Sequence, residues 1–156
     1  MENNDKNSFP QHAIHKVLAH SYSLHFILFL VGVVLDLVFN FKFFNDPISM
    51  SVGFFFLVFG TFLVFWAQKT SQKLDKDNIT KETFCRGPYC YTRTPTNFGL
   101  FFLVLGFGLI INAFFVVLSA FVSFFLAKFV FLNKQEKMLA IKYGTPYLEY
   151  KEKVKF

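Results

Sequence analysis

Two polar stretches carry the groups best suited to chemistry: residues 84–99, FCRGPYCYTRTPTNFG, and residues 133–150, NKQEKMLAIKYGTPYLEY. The first holds two prolines, two glycines, two arginines and two tyrosines, which makes it a shaped turn bearing hydrogen-bond donors and not a loose linker. Arg93 presents a planar fork that can grip a carboxylate with two parallel bonds, or a lipid phosphate at a membrane interface. Glu136 offers an acceptor for amino or hydroxyl groups, and Tyr89 and Tyr91 add hydroxyls. Asn133 stands three residues before Glu136, the spacing of a capping box, so Glu136 also has a structural reading.

Other reactive residue types lead elsewhere. Cys85 and Cys90 are the only cysteines and both lie in the basic segment. Two reduced thiols facing the cytosol are therefore expected, and a disulfide framework is not. His12, His15, His20 and His25 fit no closed site with a carboxylate or thiolate partner, so no metal is expected. Asp36, inside an apolar run, reads as paired with Lys42 or a polar neighbour. Gly106-Phe107-Gly108 has no strand before it and no acidic residue after it, which points to close helix packing and away from a dinucleotide loop.

The elements that must position Arg93 and Glu136 are membrane helices. Of the 156 residues 54% are hydrophobic and 26 are Phe, more apolar surface than a soluble domain of this size can bury. The net charge of +6 comes from lysines outside the apolar runs, which suits an anionic cytoplasmic leaflet, and no nucleic-acid motif is visible. A cleaved signal peptide fits poorly, because the leader before the first apolar run is long and polar.

Residues 1–20 form a cytoplasmic leader, with Pro10 as a break and a short interfacial helix after it. Residues 22–41, roughly 30 Å as a helix, form the first span, and 48–68 the second after a short turn. The loop 69–95 carries Lys69, Lys73, Lys76, Lys81, Arg86 and Arg93, which places it in the cytoplasm. Phe98 to Ala127 has no charge, and a single crossing there would leave the tail's six lysines outside. A hairpin avoids this: spans 96–111 and 113–132 with a bend at Ile111-Asn112-Ala113, and Lys128 snorkelling towards the cytoplasmic interface. The tail 133–156 reads as a helix ending at Gly144 and a second opened by Thr145 as N-cap and Pro146, with Tyr143, Tyr147 and Tyr150 clustered near the membrane surface. The expected fold is thus one all-α integral membrane domain over 1–156, with four transmembrane helices, a cytoplasmic helical tail and both termini cytoplasmic. In that arrangement Arg93 and Glu136 come together.

GPYCYTRTPTNFG, followed after a hydrophobic hairpin by QEKMLAIKYGTPYLEY, resembles the isoprenylcysteine carboxyl methyltransferase and phospholipid methyltransferase family of integral membrane enzymes. Their pattern runs GPYxxxRHPxYxG and then EExxLxxxFGxxYxxY. Gly87, Pro88, Tyr89, Arg93, Pro95 and Gly99 stand at family positions, as do Glu136, Leu139, Gly144, Tyr147 and Tyr150. Thr94 replaces the usual His, Asn97 the Tyr and Gln135 the first Glu. Thr cannot take up a proton near neutral pH and Gln cannot balance a cation.

The resemblance implies S-adenosylmethionine as methyl donor, held by Tyr89, Tyr91, Arg93, Thr94, Pro95, Asn97, Gly99, Gln135 and Glu136, with Arg93 and Glu136 as the catalytic pair. It also implies a lipid-like acceptor, methylated on a carboxylate, amine or thiol, that enters sideways from the bilayer. Membrane sterol reductases resemble the same C-terminal module and imply a nicotinamide cofactor instead. The three departures also allow a non-catalytic scaffold.

Overall fold

The computed structural model describes residues 5–42, 47–72 and 84–154. Regular structure among the described residues is entirely helical: α1 Asp5–Phe39, α2 Pro47–Gln72, a 3-10 turn Gly87–Cys90, α3 Pro95–Ile110, α4 Phe114–Leu126, a π-helical stretch Ala127–Leu132, α5 Asn133–Tyr143 and α6 Thr145–Lys153. The turn expected at 43–46, Lys73, Lys76 and Lys81 of the basic loop, and Lys155 lie outside the described residues.

Backbone polar groups have no partner in hydrocarbon other than one another, so long apolar segments become helices. His20–Phe39, Ile48–Ser71 and Phe114–Ile141 are each long and apolar enough to cross a membrane, while α3 is apolar but shorter at 16 residues. Large apolar side chains point outward, Leu37 at 78% and Phe65 at 67% exposure among them. Such a surface marks a membrane contact.

The helices pack in the order α1, α4, α3, α2, each antiparallel to its neighbour. Glycines set the closest approach. A Cβ on Gly53 would lie 2.8 Å from the Gly106 carbonyl oxygen, and one on Gly60 2.8 Å from that of Gly99. These two glycine pairs, one repeat apart along both helices, let the α2 and α3 backbones touch. Gly108 makes the equivalent contact with Val116 and Val117 across the α3–α4 hairpin. Gly106-Phe107-Gly108 is therefore a packing element.

The hairpin bend falls at Ile111–Ala113, with Asn112 at a φ of 53°. Asp36 helps start α4: its two carboxylate oxygens accept the amides of Phe115, at 3.1 Å, and Val116, at 2.8 Å. Helix α1 thus satisfies the open N–H groups of α4 from across the interface. The polar neighbour of Asp36 is a helix terminus.

Three local expectations are corrected. Helix α1 runs through Pro10 without a break, because Pro10 lies in the second turn, where its missing N–H removes one hydrogen bond near the helix start. No capping box forms at Asn133: Leu132 and Asn133 both have helical dihedral angles, and the π-helical stretch carries the backbone from α4 directly into α5. At the next break Gly144, with φ 63°, takes the N-cap position expected of Thr145, and Pro146 sits in the first turn of α6.

Candidate functional site

The segment before α3 is a tight loop held against α2. Gly87 has a φ of 54°, and a Cβ there would lie 2.8 Å from the Thr70 hydroxyl, so both conformation and space require glycine. The turn brings the Cα atoms of Cys85 and Cys90 to 4.4 Å, and the two are paired as a disulfide. This corrects the expectation of two reduced thiols; the 3-10 turn folds the segment back on itself, a proximity that residue types do not reveal.

Helix α6 fastens onto this turn. The Tyr150 hydroxyl donates to the Tyr89 carbonyl at 2.7 Å. Phe84 is the hub of an aromatic cluster, with ring centroids 5.1 Å from Tyr143, 5.6 Å from Tyr147 and 5.7 Å from Tyr150. Tyr147, Tyr150 and Val154 are buried there. The expected tyrosine cluster forms, but around a residue that sequence reasoning passed over, because one Phe among 26 carries no mark of its own.

At the same end of the bundle, Arg93 and Glu136, 43 residues apart, form an ion pair between Nη1 and Oε1. The other Glu136 oxygen takes Lys151 Nζ at 2.7 Å. Side-chain exposure is 14% for Arg93, 9% for Glu136 and 44% for Lys151, so the inner pair is largely removed from screening water. Lys151 was not singled out from the sequence. Its position four residues after Tyr147, on the same face of α6, is the signal that marks it.

The phenols around this triad are held neutral. Burial pushes Tyr147 up to about 12, the Glu136 charge adding to the rise and Arg93 opposing it. Tyr150 is raised as well, chiefly by burial. Tyr89 is raised by burial and partly brought back by hydrogen bonds to Thr96 and Ser71. At neutral pH all three are donors, not bases.

The remaining expected site residues are distributed unevenly. Tyr91 is 79% exposed. Thr94 and Gln135 are half-buried, and Pro95 and Asn97 are buried in the first turn of α3, where the Asn97 amide donates to the Thr94 carbonyl at 3.1 Å. Gly99 faces Gly60 and Val64 of α2, so its lack of a side chain serves helix packing. His20 is exposed and His25 is buried.

Beside the motif loop, a cavity of about 390 Å³ opens between α1 and the α2–α3 pair. Tyr22, Gln68 and Thr96 form its polar end, and Leu103 and Phe107 lie at the other. Thr96 hydrogen-bonds both Tyr22 and Tyr89, joining the cavity rim to the loop.

Two cations around one anion, at the same end of the bundle as the aromatic cluster and joined through Tyr89 and Thr96 to an apolar cavity, set charge of both signs near a hydrophobic space. Compared with protein-family models, with curated proteins and with solved structures, the chain matches none.

Proposed function

We propose that this chain is an S-adenosylmethionine-dependent membrane methyltransferase acting on an amphiphilic acceptor, with α3 crossing as the third of four spans and both chain ends cytoplasmic. The observation that carries this reading is the Arg93–Glu136 ion pair: the two halves of the segment that resembles the membrane methyltransferases meet in a buried contact.

The donor set suits the cofactor. Its carboxylate calls for a cation, its amino group for an anion and its adenine for flat apolar walls. Arg93 and Lys151 would hold the carboxylate and Glu136 the amino group, and the exposed ring of Tyr91 would offer the adenine a flat face. Lys151, the most exposed of the triad, is the cation that can give up its place on Glu136 when another arrives. The bound cofactor supplies a sulfonium methyl group ready for in-line displacement. What the chain contributes is alignment and exclusion of water, and Arg93 and Glu136 serve by holding charge, without moving a proton. Thr96, bridging Tyr22 and Tyr89, ties the acceptor side of the site to the cofactor side.

Equilibrium binding of radiolabelled S-adenosylmethionine to the detergent-solubilised full chain tests this. Saturable binding is expected. Arg93→Lys, which keeps a positive charge beside Glu136 but loses the fork, is expected to weaken it about tenfold. A folded protein that does not bind, or a lysine variant that binds equally well, overturns the reading. Binding of a nicotinamide cofactor instead would identify a reductase, and binding of neither a scaffold.

A further inference from the structure

His25 is 4% exposed on the inner face of α1 and lines the cavity between α1 and the α2–α3 pair. Its Nδ1 lies 2.9 Å from the Ser21 carbonyl oxygen. A carbonyl only accepts, so Nδ1 carries the hydrogen, and in the neutral ring Nε2 is left as a lone-pair acceptor. That Nε2 is buried and has no partner among the described residues. Buried acceptors are nearly always satisfied, and an unsatisfied one on a residue that lines a cavity marks a group waiting for a donor.

The cavity has the polarity of an amphiphile site. Its polar end, at Tyr22 and Thr96, adjoins the motif loop, and His25 follows within one turn of Tyr22. Its wall then runs along α3 from Thr96 to Phe107, roughly 16 Å of helix. There Phe29 and Phe107 close it edge to face, with centroids 5.5 Å apart. Phe26, on the rim, is 61% exposed on the bundle exterior, so the groove faces the surrounding hydrocarbon.

We propose that this groove binds a single-chain amphiphile whose head group donates a hydrogen bond to His25 Nε2. The chain lies along α3, and the head group stays level with Tyr22 and Thr96. Nε2 is closed to water in the present arrangement, so the head group displaces part of the wall as it seats. A carboxylate anion brings no donor and faces a lone pair, whereas a hydroxyl, amine or thiol satisfies it. Insofar as the occupant is the methyl acceptor, the inference rests on the proposed function and narrows it to acceptors that carry a proton on the reacting atom: as the methyl carbon leaves the cofactor sulfur and bonds to that atom, the proton passes to His25 Nε2.

Binding of radiolabelled hexadecanol and of its methyl ether to the full chain in detergent, without cofactor, provides the test. The two probes share a chain and differ in the donor. The intact protein is expected to prefer the alcohol about tenfold. His25→Leu is expected to abolish that preference while still binding the chain, His25→Gln to retain part of it through its side-chain oxygen, and Leu103→Trp to lose both probes. Equal affinity for alcohol and ether in the intact protein overturns the proposal, as does a preference that survives in His25→Leu. If that variant does not fold, the comparison on the intact protein decides alone. Cofactor binding is measured separately, so failure of either proposal leaves the other standing.

Discussion

Glu136 is held by two cations of different standing. Arg93 is nearly as buried as Glu136 itself, so removing either would strand a charge in a low-dielectric place, an effect of about 3–5 kcal/mol. Lys151 is almost half exposed, and its contact adds no more than about 1 kcal/mol. The triad therefore has a fixed part and a replaceable part, which is what a site for a zwitterion requires. The surrounding phenols give this end of the molecule a pH signature. Tyr147 is raised from 10.0 to about 12, so its contribution to stability is complete below pH 10 and is lost as pH rises towards about 12. Ultraviolet tyrosinate titration is expected to show several late-ionising phenols, one of which is lost in Tyr147→Phe, with the alkaline loss of stability becoming shallower. Titration of every tyrosine near 10 would contradict this assignment.

Among the elements, the α2–α3 pair is the most closely packed, and its contact rests on Gly53, Gly60, Gly99 and Gly106. Gly60→Leu is expected to lower stability by about 2 kcal/mol or more, since the new side chain meets backbone at Gly99 and Leu103 that cannot move aside. Thermal unfolding in detergent measures it, and an unchanged midpoint would show that the helices do not need to touch. Much of this level is legible in the sequence. Punctuation by Gly and Asn gave the bend at Ile111–Ala113 and the break at Gly144, because a chain in the left-handed region needs particular residues. The meeting of Arg93 with Glu136 followed from hydrophobic length and charge sidedness. What stayed hidden depends on pairings between distant residues. The amides capped by Asp36 lie 79 and 80 residues away, and Phe84 differs from its many look-alikes only in where the fold puts it. The false break at Pro10 and the false cap at Asn133 arose from local rules that helix continuity overrides.

At the scale of the whole molecule, an apolar bundle is joined to a polar end that holds the charged triad, and the join is the π-helical stretch Ala127–Leu132. Ala127 and Glu136 are both buried, though in an unbroken α-helix nine residues at about 100° each would set them on opposite sides. The wider turns between them rotate the polar end relative to the bundle, so that one continuous helix packs against α1 and α3 below and meets Arg93 above. Deleting Val130, a 43% exposed residue in that stretch, is expected to leave helix content intact while abolishing S-adenosylmethionine binding; circular dichroism and the binding assay read the two outcomes, and retained binding would refute it. The join therefore behaves as a phase adjuster. It should tolerate exchange of its exposed side chains, Phe129 and Val130 among them, but not a change in residue count, so its length, more than its outward composition, is the quantity that a working version of this molecule must keep.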